Sequence, residues 1–170
     1  MLSLLPSVFV LGLAALAALL LSLSRWSPPE NVAERLAAAR ALALAVAAQG
    51  AHFAEETATG LHERLGALLG LPGIPLSQFV VFNVIWLGIW VASVPGLRSA
   101  RAFAFFAAWF FAIAGMFNGV AHPLLAIADG GYFPGLVSSP LVGLAGVWLW
   151  LRLRDATRPT GGAAGSTGSE

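Results

Sequence analysis

ARAFAFFAAWFFAIAGMFNGVAHPLL, residues 100–125, carries no charge between Arg101 and His122. As a helix rising about 1.5 Å per residue it is longer than the ~30 Å of hydrocarbon in a bilayer. Lipid offers no hydrogen bonds, so a spanning segment must be a helix or part of a closed barrel. The stretch lacks the alternation of a barrel strand, and a membrane helix is the reading.

Working outward, four more stretches have the same character: residues 4–23, 35–53, 76–95 and 136–153. The expected fold is an all-α membrane protein, a polytopic bundle of about five transmembrane helices. The whole composition agrees, being 58% hydrophobic and 10% charged with mean hydropathy +0.83. A soluble domain is about a quarter charged. Cysteine is absent, which excludes disulfides and thiolate chemistry, and a net charge of +1 argues against a nucleic-acid surface.

Every basic residue is arginine, and the wealth of Ala and Gly beside it suggests a GC-rich bacterial genome. Arg25, Arg35 and Arg40 lie between or near the facing ends of the first two spans. Arg98 and Arg101 flank the turn between spans three and four, and Arg152, Arg154 and Arg158 follow the fifth. In a five-span arrangement these regions share one side, leaving Arg64 on the other. The positive-inside rule then puts the N-terminus outside and the C-terminus in the cytoplasm of a multi-pass cell-membrane protein. No basic residue precedes Arg25, so the first segment reads as a retained helix rather than a cleaved signal. The organisation expected is an extra N-terminal transmembrane helix over 1–24, a four-helix membrane domain over 25–154 and a disordered cytoplasmic tail over 155–170. The second helix is expected to run on past the membrane until Gly70 and Pro72 stop it.

The chemistry gathers at the outer end of this arrangement. His52, Glu55 and Glu56 stand at i, i+3 and i+4, within about 100° of helix circumference. Asn118 and His122 share a face of the fourth span. Helix rise puts His52 and His122 at similar depth, so the two can meet. Asp129-Gly130-Gly131-Tyr132-Phe133-Pro134-Gly135 forms a turn that carries Tyr132 over the same end. Asn83 is a further polar group at that depth, and polar groups within a span are functional candidates.

His52-x-x-Glu55-Glu56, Asn118-x-x-x-His122 and Tyr132-x-Pro134-Gly135, in that order, resemble the three motifs of the HXXEE family of integral membrane proteins. The resemblance covers residues 35–151. It implies a membrane enzyme whose site is His52, Glu55, Glu56, Asn118, His122 and Tyr132; it implies no substrate and no metal.

Each residue has a plainer reading beside the functional one. His52, Glu55 and Glu56 suit a solvated helix exit, Asn118 an interhelical hydrogen bond, and Tyr132 an interfacial anchor. Pro134 and Gly135 read as turn makers, and His62 with Glu63 as a surface pair. Gly115-x-x-x-Gly119 permits close helix approach, either inside the bundle or in a homodimer. The leading functional expectation is an intramembrane enzyme acting on a lipid or other amphipathic small molecule. One divalent metal, Zn, Fe or Mn, would be held by His52, Glu55, Glu56 and His122. A proton-coupled transporter and a non-catalytic accessory subunit are the alternatives.

Overall fold

The computed structural model describes residues 5–68 and 70–159. Within them the chain is all helical: α1 (Leu5–Ser24), α2 (Val32–Ala58), α3 (Leu61–Leu68), α4 (Leu76–Arg98), α5 (Ala102–Asp129) and α6 (Ser139–Ala156). Each of the five apolar stretches becomes one helix. Of these, α2, α4 and α5 are long and apolar enough to cross a membrane, and the described apolar part of α1, Phe9–Ser24, is shorter. Large apolar side chains face outward along these helices, with Val84, Ile85, Val91 and Leu144 all more than half exposed. A surface of that kind is compatible with a lipid environment.

The fifth helix is the centre of the bundle, with α1, α4 and α6 packed around it, while α2 packs on α4 and α6. Small residues set the spacing. A Cβ on Gly119 would lie 2.7 Å from Gly143 Cα, and one on Gly146 would lie 2.9 Å from Ala112 O. The Gly115/Gly119 stripe, which suited either the bundle interior or a homodimer, is therefore filled by α6 of the same chain. In the other half of the bundle aromatic rings take over: Trp109 is fully buried and meets Trp150 edge-on, centroids 4.9 Å apart. Trp90 Nε1 donates to Ala107 O at 3.0 Å, which satisfies the buried indole.

Boundaries of α2 and α6 differ from the sequence reading. The second helix does not continue to Gly70. It stops at Ala58, and Gly60 takes a left-handed φ of +78°, which glycine adopts without strain. The chain restarts as α3, tied to the end of α5 by Arg64 Nη2 donating to Asp129 Oδ2 at 2.6 Å. The last helix begins at Ser139 rather than near residue 136, and in the turn ahead of it the N–H groups of Val137 and Ser138 donate to the Glu55 carboxylate. At its other end α6 runs through Ala156, into the tail expected from residue 155; that tail lies outside the described residues from 160 onward.

The end of the bundle carrying the α1–α2 connection is closed by hydrogen bonds to backbone. Ser27 Oγ and Asn31 Nδ2 donate to Ala156 O, and Asn31 also donates to Arg158 O. Arg35, expected at a membrane surface, is instead 7% exposed and donates to Ser27 Oγ, Pro28 O and Pro29 O. Its Nη groups reach the carbonyls of the two prolines that precede α2, while its Nε has no hydrogen-bond partner.

Candidate metal centre

At the opposite end, α2 and α5 bring His52 and His122 together as their spacing implies. The rings meet edge-on with centroids 4.8 Å apart. Glu56, one turn after His52, turns into the same space. Its Oε1 lies 3.1 Å from His52 Nε2 and 3.3 Å from His122 Nε2. The three are 0%, 4% and 5% exposed for His52, His122 and Glu56. One ligand atom from each lies within 4.8 Å of the others, so the group can hold a metal ion. Two imidazole nitrogens and one carboxylate suit zinc, iron or manganese.

Proton positions sharpen this. His122 Nδ1 is 2.6 Å from Pro134 O, and a carbonyl only accepts, so Nδ1 of His122 carries its proton. In the neutral ring Nε2 then presents a lone pair toward Glu56. His52 Nε2, although close to the carboxylate in distance, has no hydrogen-bond partner and is fully enclosed. A buried polar nitrogen without a partner is costly in a protein interior, and a cation between the donors removes that cost.

Glu55 does something different from its neighbour. It was expected among the metal ligands, but both its oxygens face the loop between α5 and α6. Oε1 accepts from Tyr132 Oη at 2.7 Å and from Val137 N at 3.0 Å. Oε2 accepts from Ser138 N at 2.8 Å and from Ser138 Oγ. Adjacent helix positions point about 100° apart, so a single turn of α2 serves the centre with Glu56 and the loop with Glu55. The carboxylate also sits at the N-terminus of α6, where a negative charge is favoured. Tyr132 is thus placed at the rim, half-exposed and bound to Glu55, rather than against the imidazoles. Partial burial together with that hydrogen bond holds its phenol pKa above the ordinary value.

The loop covers the rings with Gly135. A Cβ there would lie 2.6 Å from His122 Cε1 and 2.8 Å from His52 Cε1, and φ is +85°. Gly135 is therefore more than a turn maker: only glycine lets the backbone lie on both imidazoles. The remaining candidates stand apart. Asn118 is partly buried, one turn before His122, and forms no side-chain hydrogen bond among the described residues. Asn83 Nδ2 donates to Phe79 O within α4, and His62 lies against Phe79 and Glu63.

Ser138 is the member of this cluster that sequence reading missed. Its Oγ is 2.8 Å from His52 Nδ1. The available signal was Ser138-Ser139-Pro140, a helix-start pattern with proline in the first turn. That pattern places the serine at the N-terminal end of α6 but does not say which histidine it meets. Comparison of the chain with known proteins finds no matching family model, no matching curated protein and no matching solved structure.

Proposed function

We propose that this chain is a metal-dependent membrane enzyme of the HXXEE type, with one zinc, iron or manganese ion held by His52, Glu56 and His122. In this reading the five apolar helices all cross the bilayer, the N-terminus is outside, and the centre lies at the outer face. The observation that carries it is the fully buried His52 Nε2, which has no hydrogen-bond partner and lies beside a carboxylate and a second imidazole. A bound divalent ion supplies Lewis acidity for a polarised carbonyl or phosphoryl group, and a three-ligand set leaves it positions for substrate.

The chain's own groups do the rest. His52, Glu56 and His122 fix the position of the ion, and Pro134 O orients His122 through Nδ1. The Gly135 backbone shields the rings from water. Substrate reaches the centre when the loop over the rings moves aside. The location at one end of a bundle with apolar sides favours a lipid or another amphipathic molecule, whose reacting group lies at the membrane surface. The centre sits at one end rather than at the midplane, which speaks for chemistry over proton-coupled transport.

The test is elemental analysis of detergent-purified protein by plasma mass spectrometry, beside His52→Ala, His122→Ala and Glu56→Gln. About one equivalent of zinc, iron or manganese in the parent, lost in all three folded variants, is the expected result. An absence of bound metal in the parent after incubation with each ion in turn sinks the proposal.

A further inference from the structure

His52 differs from His122 in what its Nδ1 meets. His122 faces a carbonyl, which leaves no choice of tautomer. His52 faces a hydroxyl, which can donate or accept, so its tautomer depends on where the Ser138 proton goes. Ser138 Oγ has one proton and touches two acceptors, the Glu55 carboxylate and His52 Nδ1. A carboxylate is the stronger acceptor, and this one is already oriented by Ser138 N and Val137 N. The proton goes to Glu55, and Ser138 Oγ is left to accept from His52 Nδ1–H. With Nδ1 protonated, the neutral ring turns its Nε2 lone pair inward.

We propose that Glu55 and Ser138 form a positioning relay which fixes His52 with its proton on Nδ1 and its Nε2 lone pair aimed at the metal centre. The paired glutamates thus divide the work: Glu56 is a ligand, and Glu55 acts on the other ligand through Ser138. The relay also joins two events. The loop that brings Ser138 to His52 is the one whose Gly135 covers the rings, and Glu55 holds that loop at Tyr132, Val137 and Ser138. Displacing the loop therefore uncovers the centre and releases the orientation of His52 in the same movement. Neither Glu55 nor Ser138 touches the centre itself. The inference rests on the metal-centre reading for its purpose, but the proton placement can be read without any metal.

The experiment uses the full chain in detergent, with two readouts. In metal-free protein, ¹⁵N NMR of the histidine rings reports which nitrogen of His52 carries the proton, with His52→Gln giving the assignment. Zinc binding by competition with a chelating dye gives the affinity. The parent shows Nδ1–H at His52. Ser138→Ala shows a mixture of tautomers and binds zinc about 10- to 100-fold more weakly, the range found when partners of metal-bound histidines are removed. Ser138→Thr, which keeps the hydroxyl, recovers both. Glu55→Gln moves the His52 proton toward Nε2, and it carries the test if Ser138→Ala does not fold. A parent with Nε2–H at His52 overturns the relay, as does zinc affinity unchanged in both Ser138→Ala and Glu55→Gln. A parent that binds no metal, yet shows Nδ1–H lost in Ser138→Ala, removes the metal centre while leaving the relay in place.

Discussion

The two ends of this bundle bury polar groups in opposite ways. Around Arg35, most donors meet acceptors: the guanidinium Nη groups, the Ser27 hydroxyl and the Asn31 amide all reach backbone carbonyls, while Arg35 Nε has no hydrogen-bond partner. Around His52 the pairing is incomplete. Two imidazole nitrogens and a carboxylate oxygen crowd one small space, and at least one of them has no hydrogen-bond partner. Pairing predominates at the first end, as is usual for buried polar groups. At the second, an unpartnered imidazole nitrogen beside a carboxylate and another imidazole is a place that a cation or an extra proton would suit. Burial of polar side chains is shared by both ends; the balance of donors and acceptors separates a structural clasp from a candidate centre.

Three changes sharpen or break that contrast. The largest effect is expected at Gly135→Ala. The new methyl collides with both imidazoles in a backbone conformation that L-residues disfavour, and together these cost about 3 kcal/mol. Gly131→Ala, in the same loop with open space around it, serves as control and leaves the melting temperature in detergent close to the parent's. An equal, small effect at both positions would mean that the loop does not rest on the rings.

Next is Arg35→Met, which keeps much of the side-chain bulk and removes every donor. Leaving the Pro28 and Pro29 carbonyls without that partner lowers stability by roughly 2 kcal/mol. Zinc stoichiometry should stay at the parent level. Loss of metal in a folded Arg35→Met protein would break the division between a structural end and a chemical one.

The smallest effect is optical. Tyr132 is the only tyrosine in the chain, so tyrosinate absorbance reports a single group. Its raised pKa predicts a titration midpoint above the ordinary value near 10. The folded-state pKa is the higher one, so the linked stabilisation is present below the unfolded value and disappears as pH rises through the folded value. Glu55→Gln takes away the charged acceptor and brings the midpoint down. A midpoint unchanged by that substitution would show that Tyr132 does not hold Glu55 in solution.

Much of this was legible in the residues. Long apolar stretches located all five long helices, because a bilayer or an apolar core leaves a segment such as residues 100–125 little choice but to pair its own backbone. That His52 and His122 lie at similar depth and could meet was legible from helix rise, since both depths are counted from arginines at the far end; that they do meet was not. The division between Glu55 and Glu56 was not. Periodicity places both within the same broad face as His52, and which one points inward depends on how α2 is rotated against α5 and α6. Ser138 escaped for a related reason. Its partner is 86 residues away in sequence, and a hydroxyl carries no pattern of its own.

The sequence by itself determined that the chain is helical and apolar, where its helices lie and which titratable groups share one end, because those follow from local hydrogen bonding and hydrophobic spacing. Only the tertiary structure decided that Glu56 is drawn into the histidine pair while Glu55 grips a loop. It alone showed that Gly115 and Gly119 receive α6, and that Gly135 lies against two imidazoles. Each of these depends on the rotation and approach of elements distant in sequence, set by packing of the whole bundle, which no local spacing encodes.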